Sequence, residues 1–319
     1  MKAAWPTIWR LLALAGLTAF GAIGAIAANV PVPLLTGPAI VVTIACLAGA
    51  PLRFPIKLRN AVFLLAGIAI GATVSPESVA ALARWPFAFA ILAAAVALMV
   101  VLGQRLMRRM MQTDERSAIL AAAPGHLSYV IALGEDLGLE TSRVAVVQSI
   151  RLLALTLLVP FFAALSGMET GVGLAPTGAV IAEMTLFQTG IAIIAAAAIA
   201  PLVKMTGAPA PMLLAGMAVG ATLRLSGWAP GGLSHYIAFP VLAAIGALIG
   251  TRFAGTSLMQ LRQSALAGLA GTTLAAMLTL VASWAAMGIV DMPLAHVLVA
   301  FAPGGLETKA VIGASIGAN

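Results

Sequence analysis

Charged side chains are scarce in this sequence: Asp, Glu, Lys and Arg make up only 8% of its 319 residues. Soluble globular proteins carry about 25%. With 62% of the chain hydrophobic, a soluble fold could not hide its apolar surface, because surface grows too fast relative to core. A mean hydropathy of +1.09 agrees, so lipid is the natural solvent for most of the chain. Cysteine is nearly absent too. Cys46 stands alone inside an apolar run, which excludes a disulfide framework within the chain and suits a small buried hydrophobe. The three histidines, His126, His235 and His296, are far apart and lack metal-ligand spacing. No phosphate-binding loop, nucleophile elbow or zinc motif occurs. These absences argue against an enzyme, a resident metal and a cofactor. Acids are outnumbered, 10 against 17 Lys and Arg. In a soluble protein that balance would suggest nucleic acid. Here the basic residues lie between apolar runs, where membrane topology accounts for them, and no nucleic-acid partner is expected.

What is present is a repeat. Gly67 and Gly71 recur as Gly246 and Gly250, and Ala123-Pro124-Gly125 recurs as Ala302-Pro303-Gly304; 246 − 67 and 303 − 124 both equal 179. Gly37 and Gly216, Leu127 and Leu306, Gly134 and Gly313, and Gly138 and Gly317 keep the same offset. Self-similarity of this kind points to a duplicated unit. Residues 1–170 form the first copy, 171–183 a linker and 184–319 the second copy. The fold class is all-α, a polytopic transmembrane bundle of two homologous repeats. The expected spans pair as Leu11–Ala28 with Thr185–Leu202, Leu34–Ala50 with Leu213–Leu225, Asn60–Val74 with Ala238–Thr251, and Pro86–Leu102 with Leu266–Ala286. The Ala-Pro-Gly segments follow at Ser117–Leu137 and Ala295–Ile316, and Val144–Leu165 closes the first copy. A counterpart of that last span is expected beyond Asn319. Several spans are shorter than the ~20 residues of a straight crossing, so broken or re-entrant helices are expected. Lys2 and Arg10 ahead of Leu11–Ala28 resemble a signal peptide, but the matching span in the second copy makes it a retained helix.

Lys and Arg choose the orientation. Lys2, Arg10, Arg53, Lys57, Arg59, Arg105, Arg108, Arg109 and Arg116 put the N-terminus in the cytoplasm of a bacterial inner membrane, with Arg84 as the exception outside. Inverting the second copy places Lys204, Arg252 and Arg262 inside and Arg224 outside; a parallel copy does the reverse. The span 166–183 has two acids and no Lys or Arg, which also suits the outside. Inversion is favoured, with a Pro-Gly-broken or re-entrant helix in each copy supplying the odd number of crossings. Inverted repeats with broken helices are a pattern of secondary transporters.

The candidate solute site gathers around the two breaks. Pro removes a backbone donor and Gly loosens a helix, and at membrane depth the freed groups need protein or a water-filled cavity. Half-helices starting there would aim N–H groups and a positive dipole end at the cavity. Pro124, Gly125, His126 and Ser128 form the first cluster, and Pro303, Gly304, Gly305, Glu307 and Thr308 the second. Gln148 and Arg151 share one helical face. A buried Arg needs an anionic partner: Glu135, Asp136, Glu307 or an anionic solute.

Ala123-Pro124-Gly125-His126-Leu127-Ser128, Gln148-Ser149-Ile150-Arg151-Leu152-Leu153 and Ala302-Pro303-Gly304-Gly305-Leu306-Glu307 resemble the AbrB-type membrane proteins of Gram-negative bacteria. That family is often labelled an ammonia monooxygenase or an AbrB family regulator. The resemblance covers essentially the whole chain and implies a duplicated membrane unit. Many members have a second Gly after Pro-Gly and a Glu shortly afterwards; the first copy here has His126 and Tyr129 instead. The leading expectation is a transporter of a small solute, anionic or amine-containing, acting in the lipid bilayer, with a homodimer as a candidate assembly. The alternative that the label implies is a membrane sensor or regulator acting indirectly on gene expression. A copper monooxygenase would need clustered nitrogen ligands, which the sequence lacks.

Overall fold

The computed structural model describes residues 7–76, 85–124, 130, 133–134, 136–139, 141–165, 183–208, 210–290 and 294–301. Every named element among them is a helix: α1 (Thr7–Ala27), α2 (Pro33–Leu47), α3 (Ile56–Gly71), α4 (Pro86–Met111), α5 (Glu115–Ala122), α6 (Thr141–Leu165), α7 (Leu186–Met205), α8 (Pro211–Leu225), α9 (His235–Thr251), α10 (Leu258–Val290) and α11 (Leu294–Phe301). Five of them, α1, α4, α6, α7 and α10, contain stretches long and apolar enough to cross a bilayer. With their broad exposed apolar faces they mark a multi-pass membrane protein. At 1.5 Å per residue the 15-residue helices α2 and α8 reach only about 22 Å, short of a ~30 Å hydrocarbon core.

The helices fall where the apolar runs place them, with one systematic difference. α4 continues past Leu102 to Met111, through Arg105, Arg108 and Arg109. Arginine is a good helix former and favours a helix C-terminus, where it complements the dipole, so charge ended the apolar run without ending the helix. α10 likewise begins at Leu258, ahead of Arg262, rather than at Leu266, since arginine's helix propensity lets the helix run through the charge. The offset persists in the helix bounds. α1 and α7 start at 7 and 186, α3 and α9 at 56 and 235, and α5 and α11 at 115 and 294, each pair 179 apart. α4 and α10 end at 111 and 290, again 179 apart.

Tight backbone contacts hold the helices together. In lipid no hydrophobic force drives helix against helix, so small residues that let backbones approach take over. Gly67 and Gly71 of α3 face Gly216 and Gly220 of α8, with 3.0 Å between the position of a Gly67 methyl and the Gly216 Cα. A methyl on Gly67 would overlap the Leu213 carbonyl oxygen, and one on Gly71 the Met217 carbonyl oxygen. Because the numbers rise together on both helices, α3 and α8 run parallel. On α9, Gly246 meets Leu35 and Pro38, and Gly250 meets Val42 and Thr43, so α2 and α9 are also parallel. α4 and α10 run the opposite way to each other. Ala88 clusters with Ala282, Ala286 and Val290, while Met107 and Met111 cluster with Ala267.

These contacts sort the helices into two bodies. α1, α2 and α3 pack with α7, α8 and α9; α4, α5 and α6 pack with α10 and α11. α6 also leans on α2 and α9, through Val146 and Ile150 against Val42, Cys46 and Phe253.

We expect Gly67→Ala to lower stability in detergent by about 1–3 kcal/mol, because a methyl forced against backbone overpacks the interface. Gly16→Ala, on α1 with nothing within 4 Å of its added methyl, should be neutral or mildly stabilising. Thermal unfolding of the two variants separates these outcomes.

Candidate functional site

The end of α5 is the most polar buried place described. α5 starts on a capped turn: Asp114 is the N-cap, and its carboxylate accepts the Ser117 N–H at 3.0 Å. Hydrogen bonds from Ser117 hold that carboxyl below its ordinary range. Eight residues later the helix stops at Ala122, immediately before Ala123 and Pro124. Pro124 is half-buried. The last carbonyls of a helix have no partner within it, and here they are taken by α6. Arg151 donates through Nη1 to the Ala122 carbonyl and through Nη2 to the Ala123 carbonyl, both at 2.9 Å. Gln148 Nε2 donates to the Leu120 carbonyl at 2.7 Å and the Ala123 carbonyl at 3.0 Å. Arg151 Nη2 also donates to Gln148 Oε1. Arg151 is 8% exposed and Gln148 4%.

Gln148 and Arg151 therefore do share a face and do converge on the first break. Among the described residues the partners of Arg151 are Gln148 and the end of α5; of the expected carboxylates, Glu135 and Glu307 lie outside those residues. Arg151 binds backbone carbonyls, whose partial negative charge at a helix C-terminus suits a cation. Asp136, one of the expected partners, is exposed. The described helix ends at both breaks are C-termini, so the dipole end shown there is the negative one. Gly125, His126, Ser128, Glu135, Pro303, Gly304, Gly305, Glu307 and Thr308 lie outside the described residues, and so does the expectation of half-helices beginning after the breaks. At the second break α11 ends at Phe301, and Thr279 Oγ1 of α10 donates to the Phe301 carbonyl at 3.4 Å. Phe301 stands 179 residues after Ala122.

Two features of the site were not read from the sequence. A methyl on Gly103 of α4 would come 2.9 Å from the Ala122 Cβ, so this glycine lets α5 lie close to α4. Its only signal was a Gly inside an apolar helix, which periodicity does not distinguish from filler. Arg143 Nη1 donates to the Met111 carbonyl at 3.3 Å, which puts the start of α6 beside the end of α4. Gln260 Nε2 reaches Ser142 Oγ at 3.3 Å, adding the start of α10 to the same end. Arg151 lies eight residues further along α6, about 12 Å in. A small cavity there is walled by Met99, Gly103, Met107, Ala122, Arg151 and Gly271.

The opposite end is pinned by a second polar cluster. Glu183 Oε1 lies 2.7 Å from His235 Nδ1 and accepts the His235 backbone N–H at 3.2 Å. Met184 N–H bonds the Gly232 carbonyl at 2.8 Å. The His235 hydrogen bond, helped by Ser234, pulls the Glu183 carboxyl from 4.5 down to about 2.

Replacing Arg151 by Met should cost about 1–3 kcal/mol for each carbonyl it orphans. Arg151→Met and Gln148→Leu should combine less than additively, because both bind the Ala123 carbonyl and each other; a double-mutant cycle of unfolding in detergent reads this. For Glu183 the lowered pKa means that its contribution is complete above pH 4.5 and fades as pH falls toward 2. The stability gap between the wild-type protein and Glu183→Gln should therefore close over that window in an acid titration.

A family model described as "Transition state regulatory protein AbrB" matches residues 34–319. No curated protein and no solved structure matches the chain.

Proposed function

The chain belongs to the family described as transition state regulatory protein AbrB, and from that membership and the geometry of α5 we propose that it is a secondary transporter carrying a small solute across a bacterial inner membrane, without enzymatic chemistry. One observation carries the proposal. α5 enters from the end where α4 stops and α6 starts, and it halts at Ala122 with its carbonyls held by Gln148 and Arg151. A helix that stops at membrane depth, its freed groups satisfied by protein, is how transporters build a solute site. Its return to the starting end makes the segment re-entrant. Counting the short α2 and α3 together with α1, α4 and α6 as crossings gives the first copy, among the described residues, five. An odd count inverts the second copy.

Three further observations support inversion. The antiparallel course of α4 and α10 is what a two-fold axis in the membrane plane requires of equivalent helices. The parallel pairs α3 with α8 and α2 with α9 match a third helix against an inverted second one. The end that holds Arg108, Arg109, Arg143 and Arg262 is by the positive-inside rule the cytoplasmic one, which leaves the N-terminus inside and Glu183 outside. The two bodies described above offer the rocking parts for alternating access, with the site between the breaks on the α4–α6 and α10–α11 body. His126, Ser128, Glu307 and Thr308 would meet the solute, with Arg151 holding the helix end that frames it.

The family description names a regulator, and a second reading follows from that word alone: solute binding at the same site is sensed and changes gene expression through a partner.

The test is uptake into proteoliposomes of a panel of small carboxylates, amino acids and amines, preceded by a thermal-shift screen of the same panel, since a ligand of the native state raises apparent stability. At least one solute should be taken up. Arg151→Lys, which cannot bridge two carbonyls as a fork, should reduce that uptake by about tenfold or more, equivalent to ~1.4 kcal/mol. Cysteines at Ser226 and Ser257 in a Cys46→Ala background should label from opposite sides, Ser257 from the cytoplasm. Labelling of both from one side defeats the inverted arrangement. Binding without uptake of any solute favours the sensor.

A further inference from the structure

A groove of about 540 Å³ runs along the outside of the first body, between α1, the start of α3 and α9. Its size is that of a ligand pocket. Leu11, Ala15, Phe54, Leu58 and Ala244 wall it. The one hydroxyl on the wall, Thr18 Oγ1, is spent on the Leu14 carbonyl at 2.6 Å, so the wall offers a ligand only hydrocarbon. The charge is gathered at one end. Arg10 stands one turn before Leu14 on the same face of α1, and Lys57 and Arg59 flank Leu58 at the start of α3. The Nε atoms of Arg10 and Arg59 are buried and have no hydrogen-bond partner among the described residues. No carboxylate forms an ion pair with Arg10, Lys57 or Arg59 there either.

From this juxtaposition we propose that the groove is a binding site for an anionic phospholipid of the leaflet at the basic end. One acyl chain lies along α1 between Leu11 and Ala19, about 12 Å deep, and the phosphate sits among Arg10, Lys57 and Arg59. A free anion would satisfy the guanidinium groups and leave the apolar wall uncovered. A zwitterionic lipid would cover the wall and bring no net charge to the cations. Only an anionic lipid answers both, as basic pockets between transmembrane helices do for acidic headgroups. The site lies on the α1–α3 and α7–α9 body, away from Arg151. It is independent of whether the protein transports or senses.

Native mass spectrometry of the full chain in detergent tests it, titrating phosphatidylglycerol against phosphatidylcholine of the same acyl chains and against inorganic phosphate. Phosphatidylglycerol should be retained preferentially. Arg10→Gln with Arg59→Gln should weaken it about thirtyfold, while Arg10→Lys with Arg59→Lys should keep most of the affinity. Ala15→Trp, at an exposed wall position, should displace the lipid without unfolding the protein, which the thermal midpoint checks. Equal retention of phosphatidylcholine overturns the proposal. So does undiminished phosphatidylglycerol binding in either the glutamine pair or Ala15→Trp, or inorganic phosphate alone protecting the protein as well as the lipid does.

Discussion

Everything distinctive in this structure depends on satisfying the carbonyls at the end of a helix that stops inside the molecule. In hydrocarbon an unpaired carbonyl has no water to turn to. α5 can end at Ala122 only because Gln148 and Arg151 stand two turns into α6 and take the carbonyls of Leu120, Ala122 and Ala123. That requirement fixes the face of α6 that turns inward. It places α6 beside α5 and brings the start of α6 to the end of α4. A guanidinium suits the task, since its planar fork can hold two adjacent carbonyls at once. The cost of burying its charge is offset by the partial charges it meets.

The second constraint is close approach. Leu and Ile side chains face lipid on α1, α7 and α10, and they contribute little between helices there because lipid is as apolar as they are. Cohesion comes from glycine faces on α2, α3, α8 and α9, where backbone lies against backbone. This makes the first body a tightly keyed unit. The second body is held differently, by the α5 cap and the antiparallel contact of α4 with α10. One body is thus keyed by glycine and the other organised around a polar cap, and α6 touches both.

Much of this was legible in the chain. Except at the starts of α4 and α10, the 179-residue offset survives in the helix bounds to within a residue. The three-residue spacing of Gln148 and Arg151 put them on one face, and the Pro-Gly pair marked where α5 had to stop. The helix ends were less legible, because arginines at the end of α4 read as loop although they extend the helix. The neighbours of the glycines were not legible at all. Gly37 and Gly216 are equivalent by offset, yet a methyl on Gly37 would meet Gly21 of α1 while one on Gly216 would meet Leu64 of α3. A repeat in sequence does not dictate which neighbour each small residue touches.

The sequence by itself determined the solvent, the helices and the interruption. Those follow from composition and period, which act locally and do not depend on which helix lies beside which. What only the tertiary structure decided was which backbone carbonyls Arg151 binds and which helices lie side by side. A buried cation is satisfied by any acceptor of suitable charge, and the chain offered several carboxylates for the role. Backbone carbonyls carry no residue identity, so no pattern of side chains could announce them. They became the partners once the stop at Ala122 and the face of α6 were brought together in space.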